Sequence, residues 1–158
     1  MPLPQTSTNR LLASIALIVG AVPGIRSVSS TYSGLIGPDQ QPHATLWITS
    51  HDEERKAYGG QHGGVKIRYA NLVVKVTTTG QEPDDAVPAF RDLIDLVAQA
   101  LRGNQYLETA TYPLGTPEVQ ASGEGLPVTF DLPRAAVEGQ GVYLHAELST
   151  RIRQEFRA

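Results

Sequence analysis

Val65-Lys66-Ile67-Arg68-Tyr69-Ala70-Asn71-Leu72-Val73-Val74-Lys75-Val76-Thr77-Thr78-Thr79 is the longest β-rich run of the chain, and its apolar residues change parity midway. Val65, Ile67 and Tyr69 alternate with Lys66 and Arg68, whereas Leu72, Val74 and Val76 fall on the opposite parity. Side chains in a strand alternate faces strictly, so keeping both halves on one core needs an extra residue near Ala70 and Asn71. A β-bulge or a bend would supply it. The spacing therefore predicts a long, bent strand. Its 72–76 half lies in the core under a helix, and its 65–69 half projects toward another protein.

The totals set the frame for that strand. A chain of 158 residues fits one domain with a proper core. Its charged fraction, 18%, is low, and fifteen Gly with eleven Pro point to turns and long loops rather than a helical bundle. A formal net charge of −3 gives no general attraction to nucleic acid or an anionic membrane. With no cysteine, disulfides and thiolate metal sites are excluded. Residues 11–22, apolar and preceded by Arg10, match a signal-peptide core in length but are too short to cross a bilayer as a helix. They read as a buried first helix.

Outward from the central run, Thr6-Ser7-Thr8-Asn9 offers N-caps for a helix from about Arg10 to Val19, stopped by Gly20 and Pro23-Gly24. That helix is apolar almost all round, so it wants cover on more than one side. Residues 25–33 form a weak strand, and residues 44–49 a clear one with Ala44, Leu46 and Ile48 on one face and Trp47 on the other. Residues 51–64 are polar and Gly-rich, an extended hairpin loop. After a turn at residues 80–83, Asp84 or Asp85 caps a second helix. Val87, Phe90, Ile94, Val97 and Leu101 form its stripe, widened by Leu93, Leu96 and Ala100. Pro88 is expected in its first turn, and Gly103-Asn104 ends it. Between residues 105 and 141 the pattern breaks up, with 109–133 resembling an insertion. Val128, Phe130 and Leu132 alternate there as a short strand, and residues 133–138 read as one helical turn. In the last run Val142, Leu144, Ala146, Leu148, Ile152 and Phe156 share one face; Tyr143, His145, Glu147, Arg151, Arg153 and Glu155 share the other. Such a strand belongs to an antiparallel sheet wet on one side.

These residues carry little catalytic signal. His51, Asp52, Glu53 and Glu54, with His62, have the types of a metal site, but a loop without convergent geometry reads as a solvated turn. The 59–64 glycines lack the Gly-Lys-Ser/Thr ending of a phosphate loop and lead into no helix. His145 and Glu147 lie two apart on a wet face, a common surface pairing. No nucleophile elbow or Ser/His/Asp pattern is present, and the basic residues are dispersed among acids. The expectation is a protein with no catalytic residue, cofactor or metal.

The order of an apolar N-terminal helix, residues 42–49 before a polar hairpin, a strand to Thr79, a capped helix over 84–102 and a last strand over 142–156 resembles the tail terminator (tail completion) proteins of long-tailed bacteriophages, similar to the minor tail protein U family. The resemblance covers most of the chain outside 109–133 and rests on pattern rather than a signature motif. It implies a single α+β domain over 1–158, mainly an antiparallel sheet with a long β-hairpin, packed by the N-terminal helix and one long amphipathic helix. It further implies a hexameric ring that caps the tail tube protein, ends tube polymerisation and offers a joining surface to the head-tail connector or stopper protein. DNA passes through such a lumen without specific binding, and no membrane is involved. The expected location is the virion tail or neck, after assembly in the host cytoplasm. Asp52, Glu53, Glu54, Arg55, Lys56, Tyr58, Lys66 and Arg68 are the expected partner interface. A head-completion, stopper or other neck ring protein is the alternative in the same machine. A soluble α+β enzyme or ligand binder, with the 51–62 loop as a lid, is the alternative from another class.

Overall fold

In a computed structural model of the chain, residues 7–31, 36–55, 64–104, 107, 117–120, 125–135 and 141–157 are described. The elements run α1 (Thr8–Gly20), β1 (Ser27–Ser29), β2 (His43–Arg55), β3 (Val65–Gly80), α2 (Pro83–Gly103), β4 (Glu118–Val119), β5 (Val128–Phe130), β6 (Arg134–Ala135) and β7 (Val142–Arg157). This is an α+β fold: a seven-stranded sheet in the order β1-β2-β3-β7-β4, with β5 and β6 also paired to β7. All pairings are antiparallel except β1 with β2.

β3 is the sheet's centre, and no extra residue interrupts it. Its register with β7 is unbroken from Val65 opposite Arg157 to Gly80 opposite Val142. The bulge predicted at Ala70-Asn71 lies instead across the ladder in β2, where the register slips between Ile48 and Ser50. Because β3 alternates without a slip, its change of apolar parity becomes a real change of face. Ala70, Leu72, Val74 and Val76 are buried under the helices, and Ile67 is buried on the other face. A bulge in β3 would have cost its ladder with β7; a bulge in the outer strand leaves that ladder whole.

Both helices cover one face of the sheet, α1 over β1 and β2 and α2 over β3 and β7. The core is one cluster of Leu11, Ile15 and Val19 from α1, Phe90, Ile94, Val97 and Leu101 from α2, and Leu46, Leu72, Val74, Leu148 and Ile152 from the strands. Leu17 of α1 and Leu96 of α2 remain exposed, so Leu96 lies outside the predicted stripe and Ala98 takes the buried position. Helix α2 starts at Pro83 after Glu82, with Asp84 and Asp85 in its first turn rather than at the cap. There they face the positive end of the helix dipole. Pro88 therefore sits inside the helix, not in its first turn, and gives no amide to the carbonyl four residues back at Asp84.

Within the 109–133 stretch, insertion-like in sequence, β4 and β5 supply sheet edge, and β6 follows directly after it. β4 pairs with Ile152 and Arg153, β5 with residues 146–148 and β6 with Val142 and Tyr143, so the chain runs back along β7 in three stitches. Arg134 and Ala135 are strand, where the sequence suggested a helical turn. The strand predicted to reach Leu132 stops at Phe130. At the ladder's end, Gly141 takes a φ of 100°, and a Cβ there would meet the Gly80 carbonyl oxygen at 2.1 Å. Only glycine allows that approach.

Ile94 is fully buried at the middle of α2. Ile94→Ala is expected to cost about 2–5 kcal/mol of stability through lost burial and the cavity left behind. Urea unfolding checks this, and a loss under about 1 kcal/mol would mean the α2 face is assigned wrongly.

Candidate functional site

The core cluster stops at the row formed by Ala70 of β3 and Ile152 of β7. Past it, β2, β3 and β7 continue side by side, pairing Asp52 with Tyr69 and Arg153, Glu53 with Arg68 and Gln154, and Glu54 with Ile67 and Glu155. This three-stranded arm includes residues 51–55, which are paired strand rather than the loop expected from their polarity. Strands tolerate polar side chains wherever both faces meet solvent, so composition alone misplaced the boundary.

Alternation divides the expected interface residues between two faces. Asp52 and Glu54 stand on the helix-free face, with Tyr69 and Ile67; Glu53 and Arg55 stand on the helix side, with Arg68 and Lys66. All four β2 residues are exposed. Lys66 is half-buried and lies 3.6 Å from the Glu53 carboxylate. Arg68 does not face outward: it is 7% exposed. Lys56 and Tyr58, with His62, lie outside the described residues.

Arg68 is held inward by the β2 bulge. The slip at Thr49 moves His51 to the helix side, opposite Ala70 and beside Arg68. The Arg68 Nε donates to His51 Nδ1 at 3.1 Å, and its Nη2 donates to Thr8 Oγ1 at 3.0 Å. His51 Nε2 lies 3.1 Å from the same Thr8 hydroxyl. The Arg68 Nη2 also lies 2.7 Å from His51 Nε2, and an imidazole that accepts from a guanidinium is neutral. Burial, then the Arg68 charge, push the His51 pKa below its ordinary value against the opposing pull of Glu53 and Asp52. The first turn of α1 is thus tied to the arm through polar groups where apolar packing ends. Sequence reasoning saw a His and an acid run but not this cluster, which exists only because of the bulge.

The helix-free face carries a second feature. Thr45, Trp47, Thr49, Val73, Lys75, Thr77, Tyr143, His145 and Glu147, with Thr31 and Ile36 beside them, line an open concavity of about 700 Å³. Trp47 is 55% exposed within it, on the face opposite Leu46 as the alternation requires. Lys75 and Glu147 pair at 3.2 Å across β3 and β7, and His145 Nδ1 meets Asp131 Oδ2 at 2.9 Å. Glu147 therefore pairs with Lys75 and His145 with Asp131, not with each other. Hydroxyls, one ion pair and the aromatic rings of Trp47 and Tyr143 suit this concavity to contact and hydrogen bonding. Among the described residues no group of three or more His, Asp or Glu is placed to hold a metal ion, and no helix is long and apolar enough to cross a membrane.

No protein-family model matches the chain, and no curated protein matches it in sequence. Among solved structures, the chain is similar to a component of the virion of a native gene transfer agent particle, with a TM-score of 0.41 and 15% identity over 96% of this chain and 94% of that one.

The two buried-side histidines give stability a pH dependence of definite sign. Burial lowers the pKa of His43, hydrogen-bonded to Ser27, as burial and Arg68 lower that of His51. With folded values beneath the unfolded value of 6.5, protonation favours unfolding. Their contribution is complete above pH 6.5 and is lost as the pH falls through the window below it. Urea midpoints are expected to drop between about pH 7.5 and about pH 5, a range above ordinary carboxylate titration, and to drop less for His51→Gln. A midpoint that is flat or rises on acidification would contradict the neutral assignment.

Proposed function

We propose that this chain is a structural protein of a virion, acting as a ring-forming terminator of a phage tail tube. The observation that carries the reading is the three-stranded arm. β2, β3 and β7 run on together beyond the last core row, with Asp52, Glu53, Glu54 and Arg55 exposed along its β2 side. A sheet that continues past its own core as ordered strand offers a rigid lever for docking. The order of elements that resembles the minor tail protein U family supports the same reading, as does the apolar α1, which keeps Leu17 exposed after folding. On this reading the chain is non-enzymatic, needs no cofactor, and works in the tail or neck between the tube protein and the head-side connector. The net charge of −3 suits a lumen through which DNA slides without being gripped. A head-completion or stopper ring would use the same surfaces at the neighbouring joint.

The concavity around Trp47 and Tyr143 favours a second reading, a small-ligand binder with His145 and Glu147 at its wall. The two readings differ in what they bind. Tail-tube subunits of the same virus, polymerised with and without this chain, are the test. Tubes of limited length that carry the chain at one end support the terminator; tubes that grow equally long in its presence refute it. The triple variant Asp52→Ala, Glu53→Ala, Glu54→Ala is expected to fold as the parent and bind tube ends on the order of tenfold more weakly. Unchanged binding would remove the arm from the docking surface.

A further inference from the structure

Both helices leave one face of the sheet open, and the concavity there is a trough with an aromatic ring toward each end. Trp47, 55% exposed, and Tyr143, 38% exposed, both line it. Trp47 stands opposite Val73 and Tyr143 opposite Thr79, so six residues of β3, about 20 Å of strand, separate their rows. Two polar rows lie between them. Thr45, Lys75 and Glu147 cross β2, β3 and β7 in one, and Thr77 and His145 form the other. Lys75 meets Glu147 at 3.2 Å, and His145 Nδ1 donates to Asp131 Oδ2 at 2.9 Å. A carboxylate only accepts, so the His145 nitrogen left for a ligand is Nε2.

We propose that this trough binds a neutral, extended glycan, a β-1,4-linked chain whose sugar rings stack on Trp47 and Tyr143 and whose hydroxyls meet the rows between. This rests on the small-ligand reading of the same concavity and not on the terminator reading. A sugar ring has apolar C–H faces and polar edges. Indole and phenol rings take the faces. The edges need partners that donate and partners that accept, and the rows supply both. The Lys75 ammonium donates, the Glu147 carboxylate accepts, and the hydroxyls of Thr45 and Thr77 do either. Spacing sets the size: rings about 20 Å apart are beyond the reach of one sugar and suit a short, straight chain. The concavity of about 700 Å³ lies within the range of ligand sites.

Other occupants leave the trough unsatisfied. A phosphate chain needs spare cations, and the one lysine among the described lining residues, Lys75, is neutralised by Glu147. An extended peptide adds to the free amides of a strand edge, whereas those of β3 are engaged in its ladders with β2 and β7. A wholly apolar ligand would strip water from Lys75, Glu147 and His145 without replacing its hydrogen bonds.

The chain has a single tryptophan, so its fluorescence reports this trough directly. Cellotetraose or chitotetraose is expected to shift the emission saturably, with glucose and N-acetylglucosamine on the order of tenfold weaker because each meets one ring. Tyr143→Ala and Glu147→Gln are expected to fold as the parent and to weaken tetrasaccharide binding on the order of tenfold each. Asp92→Ala, on the exposed side of α2, is expected to bind as the parent does. No saturable shift from either tetrasaccharide up to about 10 mM would overturn the proposal. So would unchanged binding by both trough variants, or tighter binding of an oligogalacturonate or a single-stranded oligonucleotide. A panel of neutral heteroaromatic compounds, read by NMR at the Trp47 indole N–H, separates two failures. Binding of these without the glycans removes the glycan and keeps a small-ligand site; silence from both classes removes both. Tube capping stands or falls apart from either result.

Discussion

The structure depends on one constraint: β3 is hydrogen-bonded along both sides for nearly its whole length. β2 and β7 flank it from the core out through the arm, and the β3–β7 register never slips. A strand pinned on both edges cannot rotate its side chains from one face to the other. The parity of its sequence is therefore copied directly into the structure. At the core end this puts Leu72, Val74 and Val76 under α2. In the arm it turns Val65, Ile67 and Tyr69 away from the helices and aims Arg68 beneath α1. The only freedom left lies in the outer strand, and the bulge at Thr49 uses it.

That bulge resolves a conflict created by β3. A guanidinium delivered to the helix side of a sheet needs partners, since a buried charge without them is costly. Shifting β2 by one residue brings His51 to Arg68, and the Thr8 hydroxyl completes the set from α1. A neutral imidazole accepting from the arginine keeps two cations from meeting. The polar cluster thereby continues the packing of α1 where the hydrophobic core ends. It ties the base of the arm to the first turn of α1.

Much of this architecture was legible in the residues. The stripe of Phe90, Ile94, Val97 and Leu101 and the alternation of Val142 to Ile152 each reflect one element's own periodicity. They were read correctly because burial against a single face selects apolar residues at a fixed spacing. What was missed depends on pairing between distant segments. The break in parity at Ala70 reads as a bulge or bend keeping both halves of β3 on one core, whereas β3 changes face without a slip and the bulge lies in β2. Residues 51–55 look like loop because both their faces are wet, and they are strand because β3 holds them. β4 and β6 are two residues each, too short for any period, and exist only as stitches on β7. The exposed acids of the arm were foreseen as candidates for docking. The inward aim of Arg68 was not, because nothing local to Arg68 specifies which strand slips.

The full-length pairing of β3 with β7 also governs the order in which the molecule can be made. β7 follows β3 only after α2 and the whole edge segment, so the central ladder joins parts of the chain that are far apart and closes late. Until then the hairpin of β2 and β3 leaves the backbone groups along one edge of β3 unpaired and the apolar face of Leu72, Val74 and Val76 only partly covered, the kind of surface that aggregates. Lys66, Arg68 and Lys75 interrupt that strand at intervals, and charges so placed discourage pairing with a stranger. The residues that make β3 an awkward strand in the finished sheet are thus the ones that guard it while it waits for its last neighbour.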